Sequence, residues 1–313
     1  MTISIALNKK PQESVASVSG FSPVESLSYL WGSETIQEDR KFDGYTHPSA
    51  YSSKEWCARN DFFDVMRFRA GEDSYSTASP AHMKITFEIG NAMHHWIQNK
   101  WFTRFPNFFG KWECPNCHLV ETGLKPSKCS SCGCKSFSYK EMYLTDSKTL
   151  TAGSIDALFK VGDSDGSVIL DGVDIKTISK TEFDKLKKPN QAHVIQLLLY
   201  INLLRSAGYL VNSFKLLYVC KEQVFTNYTV YKSEDGYTEM GALREFEIMT
   251  GDYEHSLAAH LMILESLAKN IEAKVVPSAR CAGCASLSSK KARSCQNSGD
   301  CFVYEGGEIY GTT

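Results

Sequence analysis

The sequence predicts an α/β chain, and three stretches predict it. From Thr86 to Trp101 the residues Phe87, Ile89, Met93, Trp96, Ile97 and Trp101 recur at helical spacing without a proline, and Pro106 stops the run. Glu141 to Val161 reads as strand material ending in the turn cluster Gly162 to Gly166, with Val168 to Lys176 as the return strand. Pro189 to Gly208 carries Val194, Ile195, Leu197, Leu198, Leu199, Ile201, Leu203 and Leu204, the pattern of a mostly buried helix closed by Gly208. Ahead of these, residues 1–46 are irregular and rich in Ser, Gly and Tyr, an extension to a body that starts near Pro48 and occupies residues 47–313.

Composition sets mild bounds. The 313 residues, 42% hydrophobic and 22% charged, suffice for one large core or two small ones. A net charge of -2 excludes a protein that coats nucleic acid by bulk electrostatics, so DNA binding would need a local basic face. There is no apolar leader, and no run reaches the roughly 18 apolar residues of a membrane span. A cytoplasmic protein without a membrane partner is expected. In that compartment thiols stay reduced, so the 11 cysteines read as candidate metal ligands rather than disulfides.

They form two groups. Cys114-Pro-Asn-Cys117 is followed after 11 residues by Cys129-Ser-Ser-Cys132, the spacing of a zinc ribbon over about residues 111–138. Two knuckles present four thiolates and leave no open coordination position, so the expected zinc is structural. Cys134 is an alternative to Cys132, but symmetric pairing favours Cys132. Cys281, Cys284, Cys295 and Cys301, in a segment at about 277–303, again imply metal, zinc or an iron-sulfur cluster. Cys220, ending the apolar run from Phe214, reads as a buried thiol.

The chemistry-bearing pattern lies between the groups. Gly153-Ser-Ile-Asp156-Ala157 precedes a hairpin whose return strand carries Asp174-Ile-Lys176-Thr177. Alternation turns Val173 and Ile175 toward the core and puts Asp174 and Lys176 together on the opposite face. Ordinary antiparallel pairing sets Asp156 beside Asp174. Two such carboxylates repel, and a hard divalent cation relieves the repulsion, so magnesium or manganese is expected on Asp156, Asp174 and the Ile175 carbonyl. Lys176 would then orient or deprotonate a water for attack on phosphorus. In the following helix Gln196 and Tyr200, four apart, share a face from which amide and phenol can meet a phosphate or Lys176.

In this order the segments resemble the RecB-like branch of the PD-(D/E)xK nucleases, which includes the CRISPR-associated RecB-like exonucleases. His47-Pro-Ser49 through Cys57-Ala-Arg59, Gly90-Asn-Ala-Met-His94, Glu141, Gly153 to Asp156, Asp174 to Thr177 and Gln196 to Tyr200 carry the likeness. The resemblance implies a restriction-endonuclease-like core, a mixed central sheet flanked by helices, with an inserted zinc ribbon and a C-terminal cysteine cluster. It makes His94 a further metal ligand, Asp156 and Asp174 the acidic ligands, Lys176 the catalytic lysine, and Gln196 and Tyr200 its support. Glu141 is left a structural or supporting role. His95, about 100° round the helix, points away. It also implies a 4Fe-4S cluster built from Cys57 with Cys281, Cys284 and either Cys301 or Cys295. This chain departs from the pattern in having four late cysteines, so a local second zinc site competes.

The activity implied is metal-dependent DNA hydrolysis, most simply by an exonuclease acting on ends or single strands in replication, recombination or repair. The partners would be DNA and recombination or replication proteins, and a phage-encoded chain would work in the host cytoplasm. Lys185, Lys187 and Lys188, with Lys290, Lys291 and Arg293, are candidate phosphate contacts. An inactive nucleic-acid-binding module on the same fold and a zinc-scaffolded interaction protein are the alternatives.

Overall fold

The structure, a computed structural model, describes residues 35–37, 42–72, 78–223, 228–278, 295, 297, 300 and 301. Cys281, Cys284, Lys290, Lys291, Arg293 and most of the N-terminal extension lie outside them.

Six helices occur among the described residues: α1 (Pro48–Tyr51), α2 (Ala58–Arg69), α3 (Ala81–Trp96), α4 (Lys180–Lys185), α5 (Gln191–Ser206) and α6 (Glu254–Ala273). The strands are β1 (Thr35–Gln37), β2 (Ala78–Pro80), β3 (Phe108–Glu113), β4 (Val120–Leu124), β5 (Ser138–Lys140), β6 (Met142–Asp146), β7 (Thr151–Ile155), β8 (Ala157–Ser164), β9 (Ser167–Ile178), β10 (Leu210–Cys220), β11 (Tyr231–Lys232), β12 (Tyr237–Met240) and β13 (Leu243–Met249). Nine strands make one mixed sheet in the order β11-β12-β13-β10-β9-β8-β3-β4, with β5 also on β3. The pairs β1-β2 and β6-β7 stand apart from it.

The β8-β9 hairpin turns at Asp165 and Gly166, both at positive φ (49° and 80°). That backbone suits the right-handed twist of a two-residue hairpin turn, and Gly166 adopts it without steric cost. Gly162, expected in the turn, instead follows a bulge inside β8, where pairing shifts between Lys160 and Gly162. β9 and β10 run parallel, and the crossover between them is α4 and α5. Asn190 caps α5 by accepting from Ala192 N, and Gly208 at φ 88° ends the turn after it.

The alternation expected along β9 holds, but both of its faces are core. Val173 and Ile175 join Phe108, Trp112, Tyr139, Ala157 and Val219 in one apolar cluster. On the other face Leu158, Leu170, Phe214, Leu216 and Tyr218 pack beneath Val194, Leu197, Leu198 and Ile201 of α5. The expectation that only the Val173 and Ile175 face meets the core is therefore corrected: the face shared by Asp174 and Lys176 is covered as well. Gly172 leaves room for Phe214, whose ring carbons would lie 2.1 Å from a Cβ there.

The helix expected over Thr86–Trp101 starts earlier and changes character late. It is α-helical to Trp96, then π-helical from Ile97 to Trp101. Its apolar spacing does not mark a core face throughout, since Phe87, Ile89 and Trp96 are 46%, 48% and 50% exposed. Among the described residues no helix is long and apolar enough to cross a membrane.

Residues 42–46 already belong to the body. Phe42 meets Phe68 of α2 edge-on and packs against a second apolar cluster, which joins Phe62 and Phe63 of α2 to Leu267 and Ile271 of α6. Thr46 bridges to Thr151, and its hydroxyl donates to Asp61 Oδ2 at 2.7 Å. Trp56 Nε1 donates to the same oxygen at 2.8 Å. Burial, partly offset by these two donors, pushes the Asp61 carboxyl up to about 6. The folded chain therefore holds a proton that the unfolded chain has released between about pH 4 and about pH 6, and stability falls as pH rises through that window. Asp61→Asn keeps an acceptor for both donors. In urea unfolding it is expected to match the parent near pH 4 and to exceed it by on the order of 2 kcal/mol at pH 7; a constant difference across that range would refute the assignment.

Candidate functional site

The site begins with the two polar side chains of β9 that face α5. Lys176 Nζ lies 2.9 Å from Asp174 Oδ2 and donates to Gln196 Oε1 at 2.8 Å. Gln196 Nε2 in turn donates to Tyr200 Oη at 2.8 Å. Gln196 and Tyr200, one turn apart on α5, are both buried, so they are not surface residues of an amphipathic helix. Gly153 makes room for this row, because a Cβ there would fall 2.9 Å from the Tyr200 ring and 3.2 Å from Pro48.

Asp174 is 2% exposed. Its Oδ2 lies 2.9 Å from the Lys176 ammonium and has no other donor among the described residues. Burial pushes its carboxyl up to about 6; the charge of Lys176 opposes this and that of Asp156 adds to it. A buried carboxylate with a second carboxylate beside it is a group that a divalent cation would stabilise.

Asp156 arrives at the junction of β7 and β8. Ala157 pairs with Val173, but the ladder stops there, and Asp156 turns its carboxylate to accept the Ile175 N–H at 2.7 Å. The Ile175 peptide thus meets Asp156 through its N–H. His94 of α3 brings Nδ1 to 3.5 Å from Asp156 Oδ2. Burial works against a charged imidazole, but contact with Asp156 and its charge outweigh burial, and the His94 pKa is raised. α3 lies close to β9 because Gly90 has no side chain; a Cβ would sit 2.9 Å from Thr177 Oγ1. His95 is exposed and pairs with Asn99 Nδ2 at 3.2 Å, away from the site.

Three residues that the sequence pattern did not single out complete the surroundings. Gln98, in the π-helical turn, donates to Glu141 Oε1 at 2.9 Å and to the Asp156 carbonyl at 3.0 Å. Tyr139 Oη donates to the same carbonyl at 2.9 Å. His193 Nδ1 contacts Tyr218 Oη at 2.8 Å, and burial together with the charge of Lys176 lowers its pKa to about 4, so it is neutral. A signal existed for two of them: Gln98 follows His94 by four residues, and His193 precedes Gln196 by three. Nothing in the sequence marked Tyr139. Glu141, given only a supporting role, is tied to the site through Gln98, and burial followed by the charge of Asp156 raises its pKa.

The four ribbon cysteines converge. Cys114 and Cys132 Sγ lie 3.5 Å apart, Cys117 and Cys129 Sγ 3.6 Å apart. All four sulfurs fall within 4.8 Å of one another, so the cluster can hold a metal ion such as zinc. Among the described residues this is the one group of three or more His, Cys, Asp or Glu ligand atoms gathered so tightly. The trio His94, Asp156 and Asp174 is more open than that. Cys134 Sγ instead accepts from the Ser136 N–H at 3.4 Å.

The described late cysteines dock against α2. Cys57 precedes that helix and is buried, as is Cys301. Cys295 Sγ donates to Asn60 Oδ1 at 3.2 Å and Arg59 Nη1 reaches Cys301 Sγ at 3.8 Å, so both thiols lie against the first turn of α2, the turn that Cys57 precedes. Arg59, 1% exposed, donates to the carbonyls of Pro277, Ser278 and Cys301 at 2.6, 3.1 and 2.9 Å. Cys220 is fully buried between Phe183 and Ala242. Lys185, Lys187 and Lys188 are exposed on the approach to α5, and Lys187 Nζ reaches Tyr237 Oη at 3.5 Å.

No protein-family model and no curated protein matches the sequence.

Ribbon metal should be separable from every other site. Metal analysis of the purified chain is expected to find one zinc that Cys129→Ser abolishes; unchanged zinc in that variant would rule out the four-thiol assignment.

Proposed function

We propose that this chain is a metal-dependent DNA nuclease that hydrolyses phosphodiester bonds, most simply an exonuclease acting in DNA replication, recombination or repair. The observation that carries the proposal is the Lys176 ammonium held between the buried Asp174 carboxylate and the Gln196 amide, with Asp156 and His94 alongside. Asp174 is buried with the charge of Asp156 beside it, so a single ammonium leaves negative charge that a divalent cation would offset.

Magnesium or manganese would be held by Asp156 and Asp174, with His94 and the Ile175 carbonyl as further ligands. When bound, such an ion offsets negative charge that develops on the phosphoryl oxygens. The chain's own groups do the rest. Gln196 and Asp174 fix Lys176 Nζ in one direction, where it orients the attacking water and stabilises negative charge. Tyr200 anchors Gln196 by accepting from its amide, and burial raises its pKa, so the phenol stays neutral rather than becoming a second anion. The exposed Lys185, Lys187 and Lys188 offer phosphate contacts beside the crossover helices.

Cys295 and Cys301 lying against the first turn of α2, which Cys57 precedes, support a 4Fe-4S cluster that includes Cys57 over a second zinc on the late cysteines alone. Such a cluster would pin the C-terminal segment to α2, where Arg59 already holds it.

With labelled linear and circular DNA and magnesium, Asp174→Ala and Lys176→Ala are each expected to lower cleavage by about 100-fold or more; degradation equal to the parent's would sink the catalytic assignment. Anaerobically purified protein is expected to be brown and to contain iron that Cys57→Ser removes. A colourless protein with two zinc ions and no iron would overturn the cluster reading.

A further inference from the structure

Asp156 stands where the chain changes sheets. Residues Thr151–Ile155 pair with β6, and from Ala157 the chain pairs with β9. A residue at such a switch has no ladder partner for its carbonyl, and a buried carbonyl requires one. Two side chains from outside both strands supply it: Tyr139 at 2.9 Å and Gln98 at 3.0 Å. The orientation of the Asp156 peptide, and hence of its carboxylate, is set from the main-chain side by these two donors.

Tyr139 belongs to the cysteine ribbon. It lies on β5, the first strand after the second knuckle, and pairs with Trp112 of β3, the strand that runs into Cys114. Its ring packs against Phe108 and Trp112, at centroid distances of 4.6 and 5.7 Å. It also crosses Gly110 so closely that a Cβ there would fall 2.4 Å from Cε2. The place of its hydroxyl is therefore fixed by the β3-β5 pairing, and the 24 residues between those strands, Cys114 to Phe137, contain all four converging thiols.

We propose that Tyr139 is a positioning residue that couples the metal-loaded state of the cysteine ribbon to the geometry of Asp156, and so to the site's affinity for a divalent cation. The inference rests on Asp156 being a cation ligand, as argued above. Outer partners that aim a metal ligand affect the affinity for the ion about 10- to 100-fold when lost. Tyr139 touches neither the water nor the phosphate, so its removal acts on cation affinity and leaves the rate at saturating cation largely intact.

The experiment uses the full chain, with zinc content measured on every sample. Tyr139→Phe removes only the hydroxyl, and Gly110→Ala displaces the whole ring. Mn2+ affinity is read by calorimetry, with Asp156→Asn as the control for the site, and cleavage is measured against Mg2+ concentration. Tyr139→Phe is expected to keep its zinc, to weaken Mn2+ binding about 10-fold and to raise the Mg2+ needed for half-maximal cleavage equally, with the saturating rate within about twofold of the parent's. Gly110→Ala and the zinc-free variant carrying Cys117→Ser and Cys132→Ser should weaken Mn2+ binding in the same direction. Parental Mn2+ affinity in Tyr139→Phe, or a lowered saturating rate at parental affinity, overturns the positioning role, and parental affinity in the zinc-free variant overturns the coupling. If the parent binds Mn2+ at Asp156, and more weakly without the Tyr139 hydroxyl, but cuts no DNA, the nuclease reading fails while the positioning role stands. A parent that binds no Mn2+ at Asp156 removes both.

Discussion

A carboxylate and an ammonium enclosed between a sheet and a helix set the conditions for the rest of this molecule. Asp174 lies on a central strand with both faces covered, where an isolated charge would be strongly unfavourable. Lys176, two residues on along the same face, supplies the counter-charge, and Gln196 takes a proton of the ammonium that Asp174 does not. This arrangement needs α5 directly over β9, which the parallel β9-β10 pairing provides by requiring a crossover. It also needs clearance, given by the absence of side chains at Gly153 beneath Tyr200 and at Gly172 beneath Phe214.

The opposite side of the site answers to a different constraint. Asp156 lies at the joint where the chain enters β8 of the sheet, and His94 comes from a helix outside it, so their alignment depends on local fastening. Gly90 lets α3 settle against Thr177, the π-helical turn carries Gln98 inward, and Tyr139 reaches across from the ribbon. Such turns, which widen a helix by one residue, recur at functional sites because they redirect side chains that regular helical spacing would not.

Much of this was legible in the residues. The β8-β9 hairpin, the buried α5 and the meeting of Asp174, Lys176, Gln196 and Tyr200 follow from periodicities of two and 3.6 and from turn chemistry. The four ribbon thiols follow from knuckle spacing. What escaped has physical causes. Alternation tells which residues share a face but not whether another layer covers that face, so the burial of Asp174 was invisible. The bulge near Gly162 and the π-helical turn each insert a residue that no period announces. Phe87, Ile89 and Trp96 follow a helical rhythm yet are exposed, because periodicity records a pattern and not what lies opposite it. Tyr139 meets Asp156 only through tertiary pairing of β5 with β3, and neither sequence neighbourhood points to the other.

The placement of β3 has one more implication. Of its buried aromatic residues, Phe108 and Phe109 pair with β8 at one end, while Trp112 at the other is flanked by β4 and β5. Without the ribbon, β3 would be the outermost strand of the large sheet, with unpaired amides beside aromatic side chains, the kind of border along which chains self-associate into aggregates. The ribbon therefore serves as a guard on that border. A shortened chain lacking it would not be a minimal version of the same protein but one inclined to polymerise.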